Sequence, residues 1–204
     1  MLFEDTYLTV KQPAEATFSD RGSKFTAFVY PILSAADVKP LVIQLKTAHH
    51  KANHHCWAMR LSTDRSVFKV NDDGEPSGTA GRPILNVLLS KNITNTLIVV
   101  VRYFGGKLLG VPGLINAYKT VAEEGLKAAG SEEKVSSDIY SVGFDYLQMN
   151  EVMKIIKEEN ITILQHEADN TCTFQMSIPR SKVNQTINRF NSLNKIKVAY
   201  QFSN

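Results

Sequence analysis

The stretch from Val135 to Phe202, VSSDIYSVGFDYLQMNEVMKIIKEENITILQHEADNTCTFQMSIPRSKVNQTINRFNSLNKIKVAYQF, switches its apolar spacing from two residues to three or four and back, twice. Val135 to Tyr146 is apolar and β-favouring, and Leu147, Val152, Ile155 and Ile156 then share a helical stripe that ends near Asn160. Ile161 to Glu167 and Thr171 to Ile178 read as strands about a polar turn at Ala168-Asp169-Asn170. Pro179, Val183, Ile187 and Phe190 outline a second helix, and Lys195 to Phe202 closes as a strand. The order β-α-β-β-α-β is the split βαβ arrangement, in which four antiparallel strands carry two helices on one face. The other face stays open to RNA, another domain or a protein partner. An RNA-reading sheet would show aromatic and basic residues on its central strands. Here Phe174 is the only aromatic in the expected central pair, and it suits the core equally well.

Upstream, Lys24 to Ile32 reads as a strand and Ala35 to His50 as a helix, with Val38, Leu41, Val42 and Leu45 at helical spacing and Ser34 as its cap. Ala52 to Leu61 and Val67 to Val70 follow as strands. A turn-rich segment, Asp72 to Gly81, leads to a short apolar helix with Pro83 at its first position. The strand Thr96 to Tyr103 contains the longest apolar run, Leu97 to Val101, which is far too short to cross a bilayer and is followed by Arg102. A glycine-rich loop then opens a helix from about Leu114 to Lys127, ended by Gly130. Ser131-Glu132-Glu133-Lys134 is the expected linker, so the chain reads as α+β in two domains, 1–134 and 135–204.

Composition narrows the function classes. Of 204 residues, 43% are hydrophobic and 21% charged, an ordinary globular mixture. The N-terminus has Glu4 and Asp5 where a secretory signal would carry basic residues, which predicts a cytoplasmic protein with no membrane contact. Cys56 and Cys172 fall in different domains without a CxxC and are expected as buried thiols. The formal charge is +3, and the whole excess is N-terminal: residues 1–135 hold 16 Lys and Arg against 13 Asp and Glu, while residues 136–204 hold 7 against 7. Such a surplus permits an anionic partner without requiring one.

Two segments carry more glycine and charge than folding needs, Asp72 to Pro83 and Arg102 to Gly113, and both precede a helix. Unpaired N–H groups at a helix start, approached by glycines and flanked by cations, form an anion site. Arg82, Arg102 and Lys107 would supply the charge, with Gly78, Gly81, Gly105, Gly106 and Gly110 supplying backbone. The same glycines could instead serve tight turns. Neither the Walker pattern nor GxGxxG occurs, which argues against an ATPase or a Rossmann enzyme and implies no cofactor.

The cluster His49-His50-Lys51-Ala52-Asn53-His54-His55-Cys56-Trp57 invites a metal, but strand alternation sends His54 and Cys56 one way and His55 and Trp57 the other, so no metal site is expected. His54, Asp72, Asp73 and Glu75 could assemble an acid–base centre in a cleft, the alternative being solvated turn acids. No nucleophile elbow accompanies them, so catalysis stays the minority expectation.

Taken together, Arg21-Gly22-Ser23-Lys24-Phe25, His54-His55-Cys56-Trp57-Ala58, Asp72 through Leu85 and Val101 through Gly110 resemble the IMPACT family, and closely its bacterial two-domain YigZ type. The resemblance implies an N-terminal domain similar to the second domain of small-subunit ribosomal protein five. It implies a C-terminal domain with a ferredoxin-like fold, similar to the last domain of elongation factor G. Both point toward RNA and the ribosome, though at the level of fold. The family's eukaryotic members look like translational regulators that act through protein partners, using an additional domain not expected in this chain. Where relatives usually read LGxGGL, this chain has Leu109-Gly110-Val111-Pro112-Gly113-Leu114, and the proline removes one backbone donor from the expected anion cradle.

The resulting expectation is a nucleic-acid-binding or ribosome-associated protein, a regulator of translation contacting RNA or DNA through the N-terminal glycine loops. The alternatives are a hydrolase or other small-molecule enzyme using the same cleft, and a protein-interaction module working through the C-terminal sheet.

Overall fold

In the computed structural model, which describes residues 5–62, 66–168 and 172–203, the strand Thr96–Tyr103 lies at the middle of a five-stranded antiparallel sheet. The strands are β1 (Thr6–Val10), β2 (Ala14–Asp20), β3 (Ser23–Pro31), β4 (His54–Leu61), β5 (Val67–Asn71), β6 (Thr96–Tyr103) and β7 (Ser131–Val135), and the sheet order is β2-β3-β6-β4-β5. The sheet is covered on both faces, which is why β6 is apolar without alternation. Helix α1 (Val38–Ala48) packs on one face over Leu97, Val99, Met59 and Leu61. Helices α2 (Gly81–Ser90) and α3 (Gly110–Ala129) cover the other, over Phe25, Ala27, Cys56, Ala58, Ile98 and Val100. Gly125 lets α3 lie close on β3, since a Cβ there would stand 2.9 Å from a Val29 methyl.

Three differences from the sequence expectations have physical causes. Ser131–Val135, expected as a linker, is strand β7, paired with β1 in a two-stranded sheet. Its side chains are mostly exposed, so no apolar period marked it; backbone pairing alone defines it. Strands β1 and β2 were not anticipated either, because β2 buries its alternate residues only partly. Both glycine-loop helices begin earlier than expected, which leaves Pro83 and Pro112 at third helical positions, still within the first turn, where no intrahelical N–H partner is lost.

A second compact unit comprises residues 135–203 with Asp5 and Thr6. Its elements run β8 (Ser137–Phe144), α4 (Met149–Glu159), β9 (Thr162–Ala168), β10 (Cys172–Pro179), α5 (Val183–Asn191) and β11 (Lys197–Ser203). The sheet order is β11-β8-β10-β9, antiparallel throughout, so the β-α-β-β-α-β reading holds. The turn expected at Ala168-Asp169-Asn170 falls largely outside the described residues. Asn160 ends α4 in the left-handed conformation at φ 55°, and Glu159 ties α4 to α5 by accepting from Arg189 (2.6 Å) and Gln185 (3.0 Å). Phe174 is not the only aromatic of the central pair, because β8 brings Tyr140 and Phe144 beside β10; it lies in the helix-side core, edge-on to Phe144 at 5.0 Å. The opposite face of the central pair carries Ser141, Gly143, Thr173, Gln175 and Ser177 together with the fully buried Ile139, and lacks the aromatic and basic residues of an RNA-reading sheet.

Candidate functional site

The loop between β5 and α2 is organised by its own first acid. The Asp72 carboxylate accepts from the backbone N–H groups of Gly78 (2.9 Å), Ala80 (3.1 Å) and Gly81 (2.8 Å). Those donors at the start of α2 were expected to cradle an external anion; an internal carboxylate holds them instead, which corrects the roles assigned to Gly78 and Gly81. The turn needs left-handed backbone at Asp73 (φ 43°) and Gly74 (φ 89°). Asp73 is equally engaged. One carboxylate oxygen accepts from Lys46 Nζ at 2.8 Å and the other from the His55 N–H at 2.7 Å.

Beneath this loop lies a buried ion pair. Glu75 and Arg102 are 8% and 5% exposed, and Arg102 Nη1 donates to Glu75 Oε1 at 2.6 Å. The Tyr118 hydroxyl donates to the same oxygen at 2.7 Å. The guanidinium lies against the rings of Phe25 and Phe104, 5.3 and 5.6 Å from their centroids. Arg102 was expected among the cations of an anion site; its charge is instead spent inside, on Glu75. Cys56 Sγ lies 2.9 Å from the Asp72 carbonyl and 3.3 Å from the Tyr118 oxygen. Burial pushes the Cys56 thiol up, and burial with Cys56 and Glu75 nearby pushes the Tyr118 phenol up, so both stay protonated at neutral pH.

His54 is held by its Nδ1, 2.9 Å from the Asp73 carbonyl, which makes that nitrogen the donor. Its Nε2 is 3.9 Å from Glu75 Oε1. His55 points to the opposite face, as strand alternation requires, and its pKa is lowered chiefly by burial, with Asp73 opposing. Among the described residues no three His, Cys, Asp or Glu side chains converge as a metal set.

The second loop meets the first here. Arg102 stands opposite His54 in the β4–β6 register, and Gly105 crosses Gly22 so tightly that a Cβ would lie 1.9 Å from the Gly22 carbonyl carbon. Ser23 locks the crossing, its hydroxyl accepting from the Gly105 N–H at 3.1 Å. Gly106 (φ 84°) and Gly110 (φ 70°) need left-handed backbone. Helix α3 starts at Gly110 with no side-chain cap. A cleft of about 440 Å³ opens there, with His54, Glu75 and Arg102 among its lining and Phe104, Leu108 and Val111 as apolar walls. Arg82 and Lys107 are exposed, and neither makes an ion pair among the described residues.

Sequence reasoning missed Tyr118 and Ser23, and read Cys56 as the buried thiol it is without its contact to Tyr118. The available signal was Tyr118 on the apolar stripe of α3 with Leu114, Ala117 and Val121, because a tyrosine in a core position needs a buried partner for its hydroxyl.

Residues 21–126 match the family profile of the Impact N-terminal domain. The chain is 31% identical to the IMPACT family member YvyE of Bacillus subtilis, over 88% of this chain and 82% of that one. It is 26% identical to the IMPACT family member YigZ of Escherichia coli, over 88% and 89%. A crystal structure of a hypothetical protein has the same fold, with a TM-score of 0.69 at 24% identity, over 96% of this chain and 97% of that one. A shared profile over half the chain and alignments across both units lead to one conclusion: this protein belongs to the IMPACT family.

Proposed function

We propose that the protein is a cytoplasmic, ribosome- or RNA-associated regulator of translation whose glycine-loop face is a recognition surface for phosphate. One observation carries the reading: the acids of this face are consumed internally and its outer cations are not. Asp72 is held by three backbone donors, Asp73 by Lys46 and a backbone donor, and Glu75 by Arg102 and Tyr118. Arg82 and Lys107 remain exposed, and α3 presents a helix start without a side-chain cap. Lys46, Arg82, Arg102 and Lys107 outnumber Asp72, Asp73 and Glu75 by one, and the two cations left exposed without an acid partner among the described residues are what an anion would meet.

The test is a salt titration of affinity for single-stranded RNA. Each phosphate contact should contribute a logarithmic slope of about 0.7. Arg82→Ala and Lys107→Ala should each flatten that slope by nearly one contact at unchanged melting temperature. Wild-type binding without salt dependence, or slopes unchanged in both variants, would refute the surface. A second reading is supported by His54, whose free Nε2 is near Glu75 in a largely apolar cleft, an arrangement suited to a small-molecule enzyme. Turnover abolished by His54→Gln while RNA affinity is unchanged would favour it.

A further inference from the structure

The two faces of the five-stranded sheet are unequally covered. Two helices, α2 and α3, share one face, whereas α1 stands alone on the other. Beside α1 on the β2 flank the sheet is finished in polar residues, Glu15, Thr17 and Ser19, and needs no cover. On the β5 flank the same face carries Val67 and Lys69, alongside Leu61, Met59 and Trp57 of β4. There a groove of about 360 Å³ runs between α1 and the sheet. Val42, Ile43, Trp57 and Met59 give it an apolar lining, and Ile43 is 53% exposed. Lys39, Lys46 and Lys69 rim it, and among the described residues no acid lines it. Lys46 is bound to Asp73, while Lys39 and Lys69 make no ion pair among the described residues.

We infer that this groove is a docking site for an amphipathic helix with acidic flanks, supplied by a partner protein. A helix beside α1 would complete on this face the two-helix layer that α2 and α3 form on the other, at the usual 8–10 Å spacing. The lining is aliphatic apart from Trp57, which suits leucine, isoleucine and methionine side chains better than stacked bases. The lysine rim selects acidic flanks and disfavours basic ones. This surface touches the first glycine loop through the Lys46–Asp73 pair but shares none of the residues tested there, so either proposal can fail alone.

The experiment places the photo-crosslinker p-benzoylphenylalanine at Ile43 of the full chain in cells, with Thr17 on the polar flank as control. The expected adduct is a protein segment of net negative charge with apolar residues at three-to-four spacing. Trp57 is the only tryptophan, so the same segment as a synthetic peptide should shift the intrinsic emission to the blue. Lys39→Glu with Lys69→Glu should weaken that binding about tenfold, with the circular dichroism spectrum unchanged. An RNA adduct, a basic or non-amphipathic segment, no adduct above the Thr17 control, or peptide affinity indifferent to the double reversal would each overturn the assignment.

Discussion

Removing one member of the Arg102–Glu75 pair should be among the most damaging polar substitutions in the N-terminal unit. In Glu75→Leu the guanidinium stays in a site 5% exposed, with Ser23 Oγ at 3.5 Å and two aromatic rings as its remaining neighbours. An uncompensated buried charge of this kind costs about 3–5 kcal/mol. Tyr118 also loses its acceptor in a buried site, adding about 1 kcal/mol. The expected loss is therefore about 4–6 kcal/mol, a fall of roughly 15–25 °C in Tm for a domain of this size. Arg102→Met should cost about 3–5 kcal/mol by leaving the carboxylate unpaired. The double variant Glu75→Leu/Arg102→Met should cost far less than the sum, because two apolar side chains of similar length leave no buried charge. Urea unfolding followed by Trp57 emission reports this unit specifically, the chain having no other tryptophan. Single variants costing under about 1 kcal/mol, or a double variant costing the full sum, would refute the account of a coupled buried pair.

Two further outcomes are expected. Gly105→Ala should prevent the β2–β3 turn and the β6–α3 loop from crossing, since its Cβ would overlap the Gly22 carbonyl carbon at 1.9 Å. Gly106→Ala, with nothing within 4 Å of its Cβ, should cost only about 1 kcal/mol for its positive φ; equal melting temperatures for the two variants would contradict the crossing. His55 has its pKa lowered by burial from 6.5, so the unfolded chain binds its proton more readily than the folded one. The stability it contributes is complete above pH 6.5 and is lost as pH falls below that value toward the folded pKa. His55→Gln should flatten the pH dependence of urea stability over that interval, and an unchanged slope would count against it.

How much of this was legible beforehand depended on how local the determining force is. Strand β10 buries Cys172, Phe174, Met176 and Ile178 and spares the residues between them, so its period of two stood in the sequence, as did the helical stripes of α3 and α4. The family and both glycine loops were equally readable, because they are contiguous strings. Strand β7 was not, since Ser131–Val135 pairs through its backbone while its side chains stay mostly in solvent. The site was readable only in part. Asp72, Asp73, Glu75 and Arg102 could be named, and Asp72 finds its backbone donors within its own loop, but the side-chain partners of Glu75 and Arg102 and the Lys46 partner of Asp73 lie 27 or more residues away, and the β4–β6 register alone sets His54 opposite Arg102. Which carboxylate neutralises which cation decides whether Arg102 is a surface charge or a buried strut, and whether the α2 start is an open anion site or one already filled by Asp72. Side-chain period is encoded residue by residue, whereas the pairing of charges and of strand edges follows from which distant segments the packed sheet brings within 3 Å of one another.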